Sequence, residues 1–271
     1  MKPAVLEIKD LSCGYSHKTI LHDIRFSVEP GEVISVIGPN GSGKTTLINA
    51  ITKVISSEKG TVLIDGSDIT KMPPKALARK TAVVAQYVDP VAMTVEEYIL
   101  LGRLPYFKKY QFFETKKDRA LARHYMDLTE TSKFKEALLC EISGGERQLA
   151  SIARALVQEP ILLLLDEPTS HLDITHQIKV LDLISSMNRK LGLTVLMVLH
   201  DLNLAGEYSD KLVMLNGKEG RIHSVGTPSQ VLTAETIKDV YGTDVMIEKN
   251  PVSKKPWVFL VSKKGKSQGK K

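Results

Sequence analysis

Gly38-Pro39-Asn40-Gly41-Ser42-Gly43-Lys44-Thr45-Thr46 matches the pattern Gly-x-x-x-x-Gly-Lys-[Ser/Thr]. The apolar stretch Val33-Ile34-Ser35-Val36-Ile37 before it is predicted to be a buried strand, and residues 45–55 after it a helix. A glycine turn alone says little; between a strand and a helix it is specific. The glycines let backbone N–H groups turn inward around phosphate oxygens, and the helix presents its positive end to the same anion. Residues Gly38 to Thr46 are therefore the expected nucleoside-triphosphate cradle. Lys44 is expected to reach the terminal phosphates and the Thr45 hydroxyl to ligate Mg²⁺.

Outward from this loop, Leu162-Leu163-Leu164-Leu165-Asp166-Glu167-Pro168 is a second element. A buried strand delivers two carboxylates at its C-terminal edge, where open α/β sheets bind ligands. Asp166 is the expected Mg²⁺ partner and Glu167 the expected group to polarise an attacking water. The runs 161–165 and 194–199 read as strands covered on both faces, with a helix over 175–190 between them, which is a βαβ unit. Residues 5–9 alternate like an exposed-edge strand, and 20–28 place Ile24, Phe26 and Val28 on one face. Residues 29–32 form a turn, 61–65 a strand stopped by Asp65-Gly66, and 83–85 a short strand before Gln86. Residues 88–160 are mostly helical in pattern: a capping box at Thr94 and Glu97 opens a helix over 94–101, and further helices are expected over 114–127 and 145–157.

The 271 residues are 42% hydrophobic and 25% charged, ordinary globular values that exclude a mostly disordered chain. Apolar runs reach only five residues, too short for a membrane helix, and the charged residues Glu7, Lys9 and Asp10 leave no signal-peptide core. Cys13 and Cys140 form no CxxC motif, so neither a disulfide framework nor a zinc site is expected, and the cytoplasm is the default. The net charge of +6 is local. Residues 251–271 hold seven lysines and no acid, while the remainder carries 30 Lys+Arg against 31 Asp+Glu. A frayed, solvated terminus is the plain reading of that tail, and no nucleic-acid partner is expected.

Ile142-Ser143-Gly144-Gly145-Glu146, just before the Asp-Glu strand, decides between families. With the two motifs above, it makes the chain resemble an ATP-binding cassette ATPase. That family's Leu-Ser-Gly-Gly-Gln appears here with Ile142 for Leu and Glu146 for Gln. The resemblance implies an α/β fold: a P-loop core of mostly parallel sheet, an N-terminal antiparallel β subdomain and an inserted helical subdomain at about 88–160. It implies one domain over 1–260 and a disordered basic tail over 261–271. It implies that Ser143, Gly144, Gly145 and Glu146 face the ATP of a partner copy, so that a homodimer closes two sites. Tyr15 matches the aromatic residue that stacks on adenine. Gln86 matches the glutamine that meets Mg²⁺ or the attacking water, and His200 the histidine on the γ-phosphate. Ser170 and Asp173 match the loop that crosses the dimer interface, with His171 where a small residue is usual.

Local segments are most similar to ATPases of iron-siderophore, haem and cobalamin importers: Thr94 to Glu97, Leu-Gly-Arg-Leu-Pro-Tyr at 101–106, His-Asp-Leu-Asn-Leu-Ala at 200–205, and Gly226-Thr227-Pro228. That implies two integral-membrane permease subunits, indirectly a substrate-binding protein, and a peripheral place on the cytoplasmic face of the membrane. Tyr87, Val88, Met93, Tyr98, Leu101 and Tyr106 are candidates to contact a permease helix, or else to pack the insertion's own core. Molybdate or tungstate importers look much the same in this subunit. A soluble single-cassette ATPase of iron–sulfur assembly is the remaining alternative. Fewer than a hundred residues separate Thr46 from Ser143, without heptads, which argues against the coiled-coil cassette proteins of chromosome maintenance.

Overall fold

The computed structural model describes residues 3–16, 18–87 and 89–261. The tail beyond Val261 and Val88 lie outside the described residues. The chain opens with β1 (Leu6–Tyr15) and β2 (Lys18–Val28), then β3 (Val33–Ile37), α1 (Lys44–Ile51), β4 (Ser57–Ile64) and β5 (Ser67–Asp68). α2 (Pro74–Lys80) and β6 (Thr81–Val84) lead to the helices α3 (Val95–Leu100), α4 (Lys116–Leu128) and α5 (Gly144–Leu156). β7 (Leu162–Asp166), α6 (Ile174–Leu191), β8 (Thr194–Val198), α7 (Leu202–Tyr208), β9 (Lys211–Asn216) and β10 (Arg221–Gly226) follow. The described chain closes with α8 (Pro228–Val231), α9 (Ala234–Tyr241) and the hairpin β11 (Val245–Lys249) and β12 (Pro256–Leu260).

The central sheet has the order β10-β9-β3-β8-β7-β6, parallel except for β10 at one edge. A second, antiparallel sheet has the order β2-β1-β4-β5. The Leu162–Leu165 run is continuous because both its faces are covered. Leu162 and Leu164 face the core shared with α1 and the antiparallel sheet, whereas Leu163 and Leu165 face the core shared with α5 and α6. By the same alternation Asp166 falls on the α1 side.

Within the helical stretch, Leu101 to Tyr106 packs against α5 and the chain just beyond it. Gly102 lies so close to α5 that a Cβ there would sit 2.2 Å from the Arg154 carbonyl oxygen. The fully buried Arg103 donates to Asp118 Oδ1 at 2.9 Å and to the Val157 carbonyl at 2.8 Å, under the Tyr106 ring. Burial pushes the Asp118 carboxyl up, but the Thr115 hydroxyl and N–H and the Arg103 guanidinium outweigh it and hold the carboxyl below its ordinary range.

Several local expectations shift. β1 is not an edge: it pairs with both β2 and β4 and continues to Tyr15. α1 stops at Ile51 rather than residue 55, because the Thr52 hydroxyl turns back to the Ile48 carbonyl and Lys53 adopts a left-handed φ of 62°. β6 spans 81–84 rather than 83–85. Of the candidate permease contacts, Tyr98 is buried and Met93 packs on the core. Tyr106 lies against Arg103 and donates to the Gln158 carbonyl. Tyr87 and Leu101 stay exposed.

Candidate functional site

Glycine is enforced in the 38–46 loop. Gly38, at φ 154°, has no room for a Cβ beside the Leu215 carbonyl, and Gly43, at φ 94°, none beside Leu21. Lys44, buried at the start of α1, donates to the carbonyls of Gly38 and Pro39, both at 3.0 Å. Burial lowers its pKa, against the opposing pull of Glu167 and Asp166.

The sheet register assembles the rest. Val84 pairs with Leu165 and Asp166 pairs with Val198, so Gln86, Glu167 and His200 emerge together at the C-terminal edge of three neighbouring strands. Asp166 turns toward α1, where the Thr45 hydroxyl lies 3.4 Å from its Oδ1. Burial raises the Asp166 pKa, reinforced by the neighbouring Glu167 charge. Glu167 itself has a φ of 51°, a left-handed conformation that costs a non-glycine residue about 1 kcal/mol or more. That turn separates the two carboxylates. Glu167 accepts from Gln86 Nε2 at 2.6 Å and from the Ser170 hydroxyl at 2.9 Å, and its other oxygen contacts His200 Nε2.

A cleft of about 380 Å³ is lined by Tyr15, Asn40, Gly41, Lys44, Thr45, Thr46, Glu167 and His200. Tyr15 is half exposed, and its hydroxyl accepts from Asn49. Ser143 and Glu146 are not brought to this cleft. Ser143 caps α5 in a reciprocal box, accepting from the Glu146 N–H and donating to its carboxylate at 2.8 Å. The Ser143 N–H and then its hydroxyl keep that carboxyl below its ordinary pKa. Gly144 opens onto a separate, smaller cleft with Gln86, Ser170 and His171. Asp173 caps α6 and holds His176 Nδ1 at 2.9 Å, and the His176 ring packs on Gly145. His171 stands at a φ of 63°.

Three residues escaped the sequence reading. Asn49 holds Tyr15, His176 covers Gly145, and Tyr241 at the end of α9 meets the Gly38 N–H with its hydroxyl. Burial raises the Tyr241 pKa. Asn49 was within reach, one helical turn beyond Thr45; the others depend on long-range packing that no local pattern carries.

Among the described residues no group of three or more His, Cys, Asp or Glu side chains forms a metal cage. A hydroxyl and one carboxylate at 3.4 Å instead fit a hard cation whose remaining ligands are water and phosphate oxygens, which is how Mg²⁺ is usually held. Among the described residues no helix is long and apolar enough to cross a membrane.

A phosphate-binding loop at the edge of a parallel sheet, facing an Asp-Glu pair, defines a P-loop ATPase. The ABC transporter family model matches residues 21–170, and the chain belongs to that family as an ATP-binding, ATP-hydrolysing subunit. It is 40% identical over 248 residues to an uncharacterized ABC transporter ATP-binding protein of Methanocaldococcus jannaschii, covering 92% of this chain and 95% of the relative. It is 36% identical over 264 residues to the petrobactin import ATP-binding protein FpuC of Bacillus anthracis, covering 96% and 95%. Among solved structures, an ATP-binding cassette of an ABC transporter in its ADP conformation superimposes with a TM-score of 0.79 at 26% identity, covering 88% of this chain and 98% of that one.

Proposed function

We propose that the chain powers uptake of an iron-siderophore or a related haem or cobalamin type metal chelate, as the ATPase of an importer. Two copies pair with two integral-membrane permease subunits, fed by a substrate-binding protein, at the cytoplasmic face of the membrane. The observation that carries the catalytic part is the Glu167 carboxylate, gripped by Gln86, Ser170 and His200 beside the phosphate-binding loop. The petrobactin-import relative supports the cargo class.

In this reading Glu167 takes the proton of the attacking water, and Gln86 and His200 orient it. Lys44 gives up its loop carbonyls for the terminal phosphates, Gly38 to Thr46 supply N–H donors, and Tyr15 stacks on the adenine. Thr45, Asp166 and Gln86 are the oxygen donors for Mg²⁺, which neutralises phosphate charge when bound. Ser143, Gly144, Gly145 and Glu146 complete the site of the partner copy, and Ser170 and Asp173 line the joint between copies. Each copy holds half of each site, so ATP favours the closed pair and hydrolysis releases it.

The test is a tagged pull-down from detergent-solubilised membranes, with mass spectrometry of what co-elutes. A stoichiometric multi-span membrane protein supports the importer. Co-elution of iron–sulfur-assembly proteins alone overturns the importer and leaves the ATPase.

A further inference from the structure

The loop Lys108-Lys109-Tyr110-Gln111-Phe112-Phe113, between the Arg103 clamp and α4, projects three aromatic rings into solvent. Tyr110, Phe112 and Phe113 are 78%, 79% and 81% exposed. Scattered apolar surface residues are unremarkable, but three within four positions form a patch.

This loop is ordered. Its base is tied by Lys75, which donates to the Phe107 carbonyl, and by Arg79, which donates to the Pro105 carbonyl. Its tip is stapled by Gln111: its N–H donates to the Lys108 carbonyl, its side-chain oxygen accepts from the Lys108 N–H, and its amide donates to the Phe113 carbonyl. With Gln111 turned inward to satisfy the backbone, the three rings are left outside. The capping box of Thr115 and Asp118 fixes the far end.

Lys108 and Lys109 precede the rings, and Lys116 and Lys117 follow them; all four are exposed. Of the nearby acids, Asp118 is committed to Arg103 and Glu114 to Arg119. The four lysines therefore keep an uncompensated positive field around the rings.

We propose that this loop is a membrane-surface anchor, its rings entering the headgroup layer of an anionic bilayer and its lysines pairing with lipid charge. Tyr110 suits that layer because its ring is apolar and its hydroxyl reaches water, and Phe112 and Phe113 bury apolar area at the headgroup–acyl boundary. Lysines beside an anionic leaflet add attraction within a Debye length. A bilayer fits better than a protein helix: rings about four-fifths exposed protrude from the surface, and a fluid headgroup layer accommodates protruding side chains without a shaped partner. The anchor extends the peripheral reading above, supplying a contact that does not pass through the permease.

The test uses the full chain and protein-free vesicles, sedimented and assayed for bound protein. One set is phosphatidylcholine alone, and the other carries about 30% phosphatidylglycerol to mimic an anionic leaflet. The expected result is binding to the anionic set only, lost at about 0.5 M salt, where screening is a few ångströms long. Phe112→Ser with Phe113→Ser weakens it about tenfold or more, and so does changing the four lysines to glutamine. Both variants keep wild-type ATPase activity, which shows that they fold. No binding by the wild type, or equal binding by the variants, overturns the proposal. So does an aromatic variant that binds vesicles normally but no longer recovers a membrane protein in the pull-down, since the patch then docks protein. The vesicles contain no permease, so failure here leaves the importer reading standing, and a failed pull-down leaves vesicle binding standing.

Discussion

The Gln86 amide donates to the Glu167 carboxylate at 2.6 Å, although 81 positions separate the two in sequence. The β6–β7 register brings them together, since Val84 pairs with Leu165 and each residue lies two positions beyond its strand partner. A carboxylate held this way is pre-oriented before any substrate arrives. Glu167→Gln keeps the shape of the site but cannot accept a proton. The expected outcome is retained ATP binding with hydrolysis slowed at least about 100-fold, measured by phosphate release beside equilibrium nucleotide binding. Near-normal turnover would remove Glu167 as the base.

Lys44 is buried, and its ammonium donates to the carbonyls of Gly38 and Pro39. Lys44→Ala removes the cation proposed to meet the terminal phosphates. ATP affinity is expected to fall about tenfold or more, with a smaller loss for ADP, because a charge-assisted contact to the last phosphate disappears. Titration with both nucleotides checks this, and equal losses would place the lysine elsewhere on the nucleotide.

Gly145 accepts no side chain, since a Cβ would lie 2.4 Å from the His176 ring. Gly145→Ala is expected to cost about 1–3 kcal/mol of stability by overpacking. His176→Ala makes room, so the double variant should recover most of that loss in a denaturant-unfolding cycle. Additive losses would mean that the clash is relieved some other way.

Asp118 pairs with Arg103 in the interior, and its carboxyl is held below its ordinary pKa. Asp118→Asn removes the charge opposite the buried Arg103 guanidinium, which keeps Glu159 and the Val157 carbonyl, and is expected to cost about 3 kcal/mol at neutral pH. A depressed folded-state pKa gives stability that is present above the unfolded value, about 3.9, and fades as pH falls through the folded value. The gap between wild type and variant should therefore be constant from neutral to mildly acid pH and narrow only below about pH 4. Urea unfolding across that range reads it.

Strong local patterns carried much of the fold. The Gly38-to-Thr46 loop, the Leu162–Asp166 strand and the Thr94 capping box each declare themselves within a few residues. Glu167 and Asp166 were visible as candidates because a buried strand ends in two acids, but the turning apart of their side chains depends on a left-handed φ at Glu167 that sequence does not announce. The segments after His200 went largely unread. β10 alternates only weakly at a sheet edge, and the β11–β12 hairpin is held by Asn203, which exchanges hydrogen bonds with Val258 across 55 residues. The Arg103 clamp gave only a family likeness in sequence; its physics appears once Val157 and Asp118 lie beside it.

The central claim is that a second copy completes each ATP site through Ser143 to Glu146. It is tested most directly by the mass in solution of Glu167→Gln with and without ATP and Mg²⁺. The account predicts a monomer without nucleotide, twice that mass with ATP, and a monomer again with ATP when Ser143→Arg is added. A Glu167→Gln protein that stays monomeric at saturating ATP, while the wild type hydrolyses it, would contradict the shared site.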